Sequence, residues 1–280
     1  MADGRDTSRR IVYAVAALAA GAMAIPPVRR RVLAAANGAR HSVKRRVELL
    51  KGEAPPDAHA PPLRFFVAEL GQLAAPAIRL FKPPLPIEEA AAPKVVILLP
   101  GFATHPWRMK YMAKELERAG HIVKRWGLGY NYGPTKENIE LLANRVCSVR
   151  ERYRQNVVLV GWSLGGIFAR EVAKMHPNCI AKVITMGTPF SHTPYSNNMW
   201  RIYQAVAGHR VEEPPIETNT AEKPPVETVA FWSPRDGAIS RRAACGLPGE
   251  RDRAVALRCT HMGFCNSSEV ILALDKELKR

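Results

Sequence analysis

The stretch 157–166, VVLVGWSLGG, constrains the fold more than any other part of the chain. Its opening apolar residues predict a buried strand, and the spacing after residue 163 predicts a helix. Ser163 stands between them in a G-x-S-x-G pattern, where a side chain at Gly161 or Gly165 would crowd the turn. The sequence therefore predicts a strand, a tight turn and a helix, with the serine hydroxyl above the sheet edge and the first helix amides facing it.

Strand and helix patterns alternate from residue 94 to the end of the chain. The predicted strands are 94–99, 121–126, 157–161, 180–186, 226–232 and 253–257, and the predicted helices are 107–118, 136–153, 164–175 and a last one near 267–278. Thr135 is predicted to cap the second helix, and residues 266–269 to form a capping box for the last. Alternation of this kind predicts a mostly parallel sheet with helices on both faces and reactive groups at the carboxyl ends of the strands.

Segment 190–225 interrupts the alternation between two predicted strands. It is rich in proline, lacks a strand pattern and carries bulky apolar residues at 199–203. A long insertion at the end of the sheet where chemistry happens predicts a lid or cap over a pocket. A packed surface loop is the alternative.

A serine hydroxyl needs a neighbouring base to act as a nucleophile, and in this topology an acid and then a histidine follow the serine. The histidines after residue 163 are His176, His192, His209 and His261. We predict that His261 is the base because it alone follows the last predicted strand.

We predict that Asp236 is the acid, because it lies in a turn directly after the strand 226–232. Glu250 and Asp252 are the nearest competitors, but they lie too close to the next strand to reach back easily. Two backbone amides, those of Phe102 and Leu164, are predicted to form an oxyanion hole beside the serine.

Several motifs together resemble those of the α/β-hydrolase superfamily, and within it the bacterial serine esterases and lipases. They are LPGF at 99–102, VGWSLGG at 160–166, GTP at 187–189, DG at 236–237 and HMGF at 261–264. The resemblance implies an α/β-hydrolase fold and cleavage of carboxylic esters through an acyl-serine intermediate, with no metal or organic cofactor. Trp162 stands where many lipases have histidine, which weakens a specific expectation of lipid substrates.

Other functions remain open on the sequence alone. An acyltransferase or a thioesterase would use the same three residues and differ only in the acceptor or the leaving group. A membrane-tethered binding module with an inactive hydrolase fold is a further alternative. A nucleic-acid partner is not expected, because the basic runs lack a recognition motif and interleaved aromatic residues.

The N-terminal segment 1–52 holds eleven Lys and Arg residues against three acidic ones, which is +8 of the total net charge of +16. Within it, the uncharged run 11–25 is shorter than the ~20 residues of a spanning helix. Two arginines before it and the sequence AMA at 22–24 fit a signal peptide, whereas the three arginines at 29–31 favour cytoplasmic retention. Signal peptide, membrane anchor and basic tail all stay open, so the predicted location is membrane-associated or exported, with the cytoplasm as the alternative.

Residues 32–50 are compatible with a basic helix on an anionic membrane surface. Proline-rich linkers occupy much of 53–93 and flank one predicted helix, 63–81, with apolar positions at Phe66, Leu70, Leu73 and Ile78. The catalytic domain is predicted to span 94–280.

The five cysteines are scattered without metal-ligand spacing. Cys147 and Cys179 lie in patterned segments and are predicted to be small buried apolar residues. A disulfide is conceivable among Cys245, Cys259 and Cys265, which flank a loop region.

Overall fold

A parallel sheet of six strands, in the order β2-β1-β3-β4-β5-β6, forms the centre of the computed structural model. The structure describes residues 42–72, 78, 83–216 and 218–280. The strands are β1 Val95–Leu99, β2 Ile122–Arg125, β3 Val157–Trp162, β4 Ile180–Met186, β5 Glu227–Trp232 and β6 Arg253–Ala256. Every neighbouring pair is parallel, as predicted.

The helices lie between these strands and in front of the first one. They are α1 at 42–50, α2 Leu63–Glu69, α3 Lys110–Arg118, α4 Lys136–Tyr153, α5 Leu164–Met175, α6 Trp200–Ala207, α7 Arg241–Cys245 and α8 Ser268–Leu278. Short 3-10 turns cover Leu70–Gln72, Pro106–Met109, Pro177–Cys179 and Met262–Cys265. The predicted strands and the helices α3, α4, α5 and α8 are confirmed to within a few residues at their ends.

Helices cover both faces of the sheet because successive strand residues point to opposite sides. In β1, Val96 and Leu98 pack into a cluster that includes residues of α3 and α8. Val95, Ile97 and Leu99 pack into the opposite cluster, with residues of α4 and α5. Burial of all five residues of β1 explains why the strand is a continuous apolar run.

One of the two predicted helix caps is confirmed and the other is wrong. The Thr135 side chain accepts a hydrogen bond from the Asn138 amide at 3.1 Å. Helix α8 starts instead after Ser267, whose side chain makes no capping bond. The carboxylate of Glu269, which the capping box needs, accepts the Arg258 amide at 3.2 Å and is therefore used by the loop after β6.

The prediction for Cys147 and Cys179 is wrong, since these two residues form a disulfide with a Cα–Cα distance of 5.4 Å. Cys147 lies on α4 and Cys179 follows α5, and these helices are neighbours on one face of the sheet. The remaining three cysteines are free, so the disulfide considered among them is also absent from the described structure.

Two segments differ from the sequence-based expectation. Of the helix expected over 63–81, the structure describes α2, a 3-10 turn at 70–72 and a helical residue at 78. Leu70 is exposed and Glu69 is buried. Insertion 190–225, for which no element was predicted, contains α6, which ends at Gly208 in the left-handed conformation.

The predicted apolar segment 11–25 lies outside the described residues. Within the ranges that the structure describes, no helix is both long enough and apolar enough to cross a membrane.

Candidate active site

Ser163 occupies a strained turn between β3 and α5. Its φ and ψ are 52° and −123°, which a non-glycine residue rarely adopts. A Cβ at Gly161 would overlap the carbonyl oxygen of Gly165, and one at Gly165 would overlap that of Leu99. The two glycines therefore let the start of α5 pass close to β1 and β3.

The backbone of this turn is tied to the neighbouring strand. The Ser163 amide donates to the Met186 carbonyl at 2.8 Å, at the end of β4. A Cβ at Gly166 would overlap the side chain of Thr188, in the loop that follows β4. The serine hydroxyl is thus held at the carboxyl edge of the sheet, where it lines a cavity.

Asp236 and His261 meet at the same edge, after β5 and β6. Nδ1 of His261 lies 2.9 Å from Oδ2 of Asp236, and both side chains are buried. Oδ1 of Asp236 accepts the amides of Ala238 and Ile239 at 2.9 and 2.8 Å. The carboxylate is therefore fixed by its own turn while its second oxygen holds the imidazole.

The charge balance around His261 favours the protonated ring. Burial alone would lower the pKa of His261, but the neighbouring carboxylate of Asp236 and the more distant one of Glu69 raise it above the ordinary value of 6.5. Because Nδ1 is engaged with Asp236, Nε2 is the nitrogen available for proton transfer.

Among the described residues, no hydrogen bond joins the side chains of Ser163 and His261. The link between their loops is Trp162, whose indole N–H donates to the His261 carbonyl at 3.0 Å. The centres of the two rings are 5.6 Å apart. Catalytic hydrogen bonds often form only when substrate is bound, so this geometry is compatible with a serine–histidine pair.

The loop after β1 brings Phe102 beside the serine. A Cβ at Gly101 would lie 3.2 Å from that of Ser163. Buried Asn131 shapes this loop, since its side-chain N–H donates to the Pro100 carbonyl at 2.8 Å. Its backbone carbonyl accepts the Ala103 amide. The amides of Phe102 and Leu164, the two predicted oxyanion donors, have no acceptor within the described ranges.

A cavity opens in front of Ser163. Its walls are mostly apolar, and insertion 190–225 supplies more than half of the lining residues. Those from the insertion are Pro194, Asn197, Met199, Trp200, Tyr203, Val211, Pro214, Thr218 and Thr220. The insertion therefore covers the serine, and its opening and closing as a lid stay a prediction.

Three of the competing residues have other partners. Asp252 pairs with Lys223 at 2.9 Å, and Glu250 accepts the Ser191 hydroxyl at 2.6 Å. His192 contacts the Ser196 hydroxyl at 3.0 Å. Of the acids and histidines considered from the sequence, the structure brings together only Asp236 and His261.

Glu69, which the sequence did not indicate, is buried between the loops of Asp236 and His261. Its carboxylate accepts the backbone amides of Gly237, His261 and Met262. Nothing in the sequence pointed to it, since a single glutamate on a short apolar helix is usually exposed. In the described part of the chain, no cluster of His, Cys, Asp and Glu side chains is suited to hold a metal ion.

A parallel sheet with a serine at a tight turn after a central strand, and a histidine and an acid after later strands, defines an α/β-hydrolase fold. The model of the alpha/beta hydrolase family matches residues 96–269, and the chain belongs to that family.

Among known proteins, the pimeloyl-[acyl-carrier protein] methyl ester esterase of Klebsiella pneumoniae (strain 342) is 35% identical over 68 residues. This stretch is 24% of the present chain and spans about a quarter (25%) of that protein. The structure of polyneuridine aldehyde esterase is similar at 13% identity and a TM-score of 0.46, covering 68% of this chain and 100% of its own. The mature lipase BlEst2 of Bacillus licheniformis has 13% identity and a TM-score of 0.49, with 70% and 96% covered.

Proposed function

We propose that the protein is a serine hydrolase that cleaves carboxylic esters through an acyl-serine intermediate. The observation that carries the proposal is the hydrogen bond between Asp236 and His261, formed by buried side chains beside the strained turn of Ser163. The short stretch of identity with a methyl ester esterase is consistent with an ester as substrate.

In the proposed reaction, Oγ of Ser163 attacks the acyl carbon while Nε2 of His261 takes the hydroxyl proton. Asp236 holds the imidazole by Nδ1 and stabilises its charged form. The amides of Phe102 and Leu164 donate to the developing oxyanion. When the C–O bond to the alcohol breaks, His261 returns the proton to the leaving oxygen. The same nitrogen then takes a proton from water as the water oxygen attacks the acyl carbon. When the bond from the acyl carbon to Oγ breaks, Nε2 returns the proton to Ser163 and the carboxylic acid leaves.

These steps use only side chains and backbone amides of the chain, so the proposed reaction needs neither a metal nor an organic cofactor. The residues that line the cavity indicate which kind of acyl group it would bind. Its walls carry Trp200, Tyr203, Phe102 and Met199, and a carboxylate or a sugar would lose hydrogen bonds to water there. We therefore propose an ester with an apolar acyl chain as the substrate.

The test uses 4-nitrophenyl esters with acyl chains of two to twelve carbons and a fluorophosphonate probe. We expect Ser163→Ala to abolish both turnover and labelling. Ser267→Ala is the matched control, because this serine makes no capping bond. We expect Asp236→Asn to lower kcat by ~10³–10⁴-fold. Asp252 bonds Thr228 at the opposite end of β5, so Asp252→Asn should keep most of the activity. Labelling of the Ser163→Ala variant at the wild-type rate would refute the proposal.

We also propose that the basic segment 1–52 binds anionic membrane surfaces. At its described end, Val43, Val47 and Leu50 are exposed and spaced as one face of α1, next to Lys44 and Arg45. The protein should sediment with vesicles that contain phosphatidylglycerol and less with pure phosphatidylcholine vesicles. Equal binding to both, or none to either, would contradict this.

A further inference from the structure

Glu69, at the end of α2, lies between the two loops that carry the acid and the base. Oε1 accepts the amides of Gly237 and His261 at 3.0 and 2.6 Å, and Oε2 accepts the amide of Met262 at 2.8 Å. Only 6% of the residue is exposed. One carboxylate thus holds the loop after β5 and the loop after β6 by their backbones.

The segment that supplies Glu69 is itself fixed to the rest of the fold. A Cβ at Gly237 would overlap the backbone of Phe65, so α2 packs directly on the loop of Asp236. The side-chain N–H of Asn198 donates to the carbonyls of both Pro61 and Gly237, at 3.0 and 2.8 Å. The position of Glu69 is therefore fixed both by the packing of α2 and by the loops whose amides it accepts. Glu69 lies before the part of the chain that the family model matches, which begins at residue 96.

We propose that Glu69 is a positioning residue for the Asp236–His261 pair, an inference that rests on the proposed function. Because its carboxylate bonds both loops, it fixes the separation of the acid and the base and holds the ring of His261 toward the Ser163 turn. Its negative charge also stabilises the imidazolium that forms when Ser163 is deprotonated. No contact with substrate is needed for either effect.

The electrostatic part of this role follows from the groups around the imidazole. The charged groups that face His261 are Asp236 after β5, Glu69 on α2 and Arg108 before α3. Both carboxylates raise the pKa of His261, and Arg108 lowers it. The buried thiols of Cys259 and Cys265 stay neutral, because burial raises their pKa. Removal of the Glu69 charge must therefore lower the pKa of His261.

The experiment compares Glu69→Gln with wild type and with Glu115→Gln in the full chain. Glutamine keeps the shape of the side chain but loses the charge, and its NH₂ group would face the Met262 amide, donor against donor. Glu115 is a matched control, since it is also buried and accepts one backbone amide, that of Leu85 at 2.9 Å, away from the site.

We expect Glu69→Gln to lower kcat/KM for a 4-nitrophenyl ester by roughly tenfold to a hundredfold. The acidic limb of the kcat/KM profile should move to lower pH, because His261 loses its proton more readily. Glu115→Gln should lower stability without moving this limb. An unmoved limb in Glu69→Gln with wild-type kcat/KM would overturn the inference, and so would a uniform loss at every pH, which a merely structural role predicts.

The pKa of His261, measured by NMR with ¹⁵N-labelled histidine, separates this inference from the proposed function. If esters are not cleaved but the pKa falls in Glu69→Gln, the positioning role stands and the function is wrong. If esters are cleaved and the pKa does not fall, the positioning role is wrong. Should Glu69→Gln not fold, Glu69→Asp, which keeps the charge but shortens the reach, is expected to lose kcat/KM with little shift of the limb. Wild-type kcat/KM in that variant overturns the proposal.

Discussion

Replacement of Asn131 by alanine tests whether the loop after β1 is positioned by a single buried side chain. Asn131 is fully buried, and its side chain makes two hydrogen bonds. Nδ2 donates to the Pro100 carbonyl at 2.8 Å, and Oδ1 accepts the Gly133 amide at 3.2 Å. The side chain thereby ties Pro100, two residues before Phe102, to the chain at Gly133. Loss of these bonds should let the proposed oxyanion donor move.

The magnitude follows from what the substitution leaves behind. The Pro100 carbonyl and the Gly133 amide stay buried without these partners, and each such loss costs about 1–3 kcal/mol, so we expect the free energy of unfolding to fall by about 2–6 kcal/mol. Complete loss of an oxyanion donor costs roughly 10²–10³ in kcat. The Ala103 amide still bonds the backbone carbonyl of residue 131, so we expect a partial effect, roughly tenfold to a hundredfold in kcat.

The assay measures kcat and KM separately for one 4-nitrophenyl ester, together with urea unfolding. Asn197→Ala is the matched control, because this buried asparagine makes the same two kinds of bond, to the Pro194 carbonyl at 2.7 Å and from the Met199 amide at 2.8 Å. Asn197 lies in the cavity wall instead of the loop after β1, so its loss should raise KM and reduce stability while kcat changes by less than about threefold. If kcat falls equally in both variants, the reasoning for Asn131 is refuted.

Three further predictions concern other parts of the fold. Replacement of Cys147 and Cys179 by serine should lower the free energy of unfolding by about 3–4 kcal/mol, because the bridge closes a loop with a separation of 32 residues. An unchanged urea midpoint would count against the disulfide. Gly166→Ala should abolish activity, because the added Cβ would overlap the side chain of Thr188. Gly71→Ala is the control and should remain active, because the space around Gly71 is open. Comparable activity in the two variants would contradict this prediction. In the wild type, kcat/KM should fall on acidification with a midpoint above 6.5, as His261 gains its proton; a midpoint below 6.5 would show that burial outweighs the carboxylates.

The sheet and the serine turn were predictable because their physical requirements are local. Continuous apolar runs such as 95–99 are needed by strands buried on both faces, and that pattern is visible in any single sequence. Gly161 and Gly165 could be assigned because only glycine fits where two backbones touch. Asp236 and His261 required one more step, since the parallel topology places the ends of β5 and β6 at the same edge.

The elements that could not be predicted depend on contacts that leave no local pattern. The disulfide requires α4 and α5 to present Cys147 and Cys179 to each other, and the helical spacing of each segment does not contain that orientation. The capping box at 266–269 failed for a similar reason. Glu269 was available to the loop after β6, and the sequence does not show which of two backbone amides is closer.

Glu69 shows most clearly why some contacts could not be predicted from the sequence. Its partners are backbone amides 168 to 193 residues away, and nearly every residue type has such an amide, so these contacts leave no pattern in the sequence. The consequence concerns the domain boundary. Both the predicted catalytic domain, which starts at 94, and the family match, which starts at 96, leave Glu69 outside. A chain cut at 94 would leave the amides of Gly237, His261 and Met262 without their acceptor, at a cost of about 1–3 kcal/mol for each that stays buried. Since these amides belong to the loops of Asp236 and His261, we expect the functional unit to begin before α2 and not at β1.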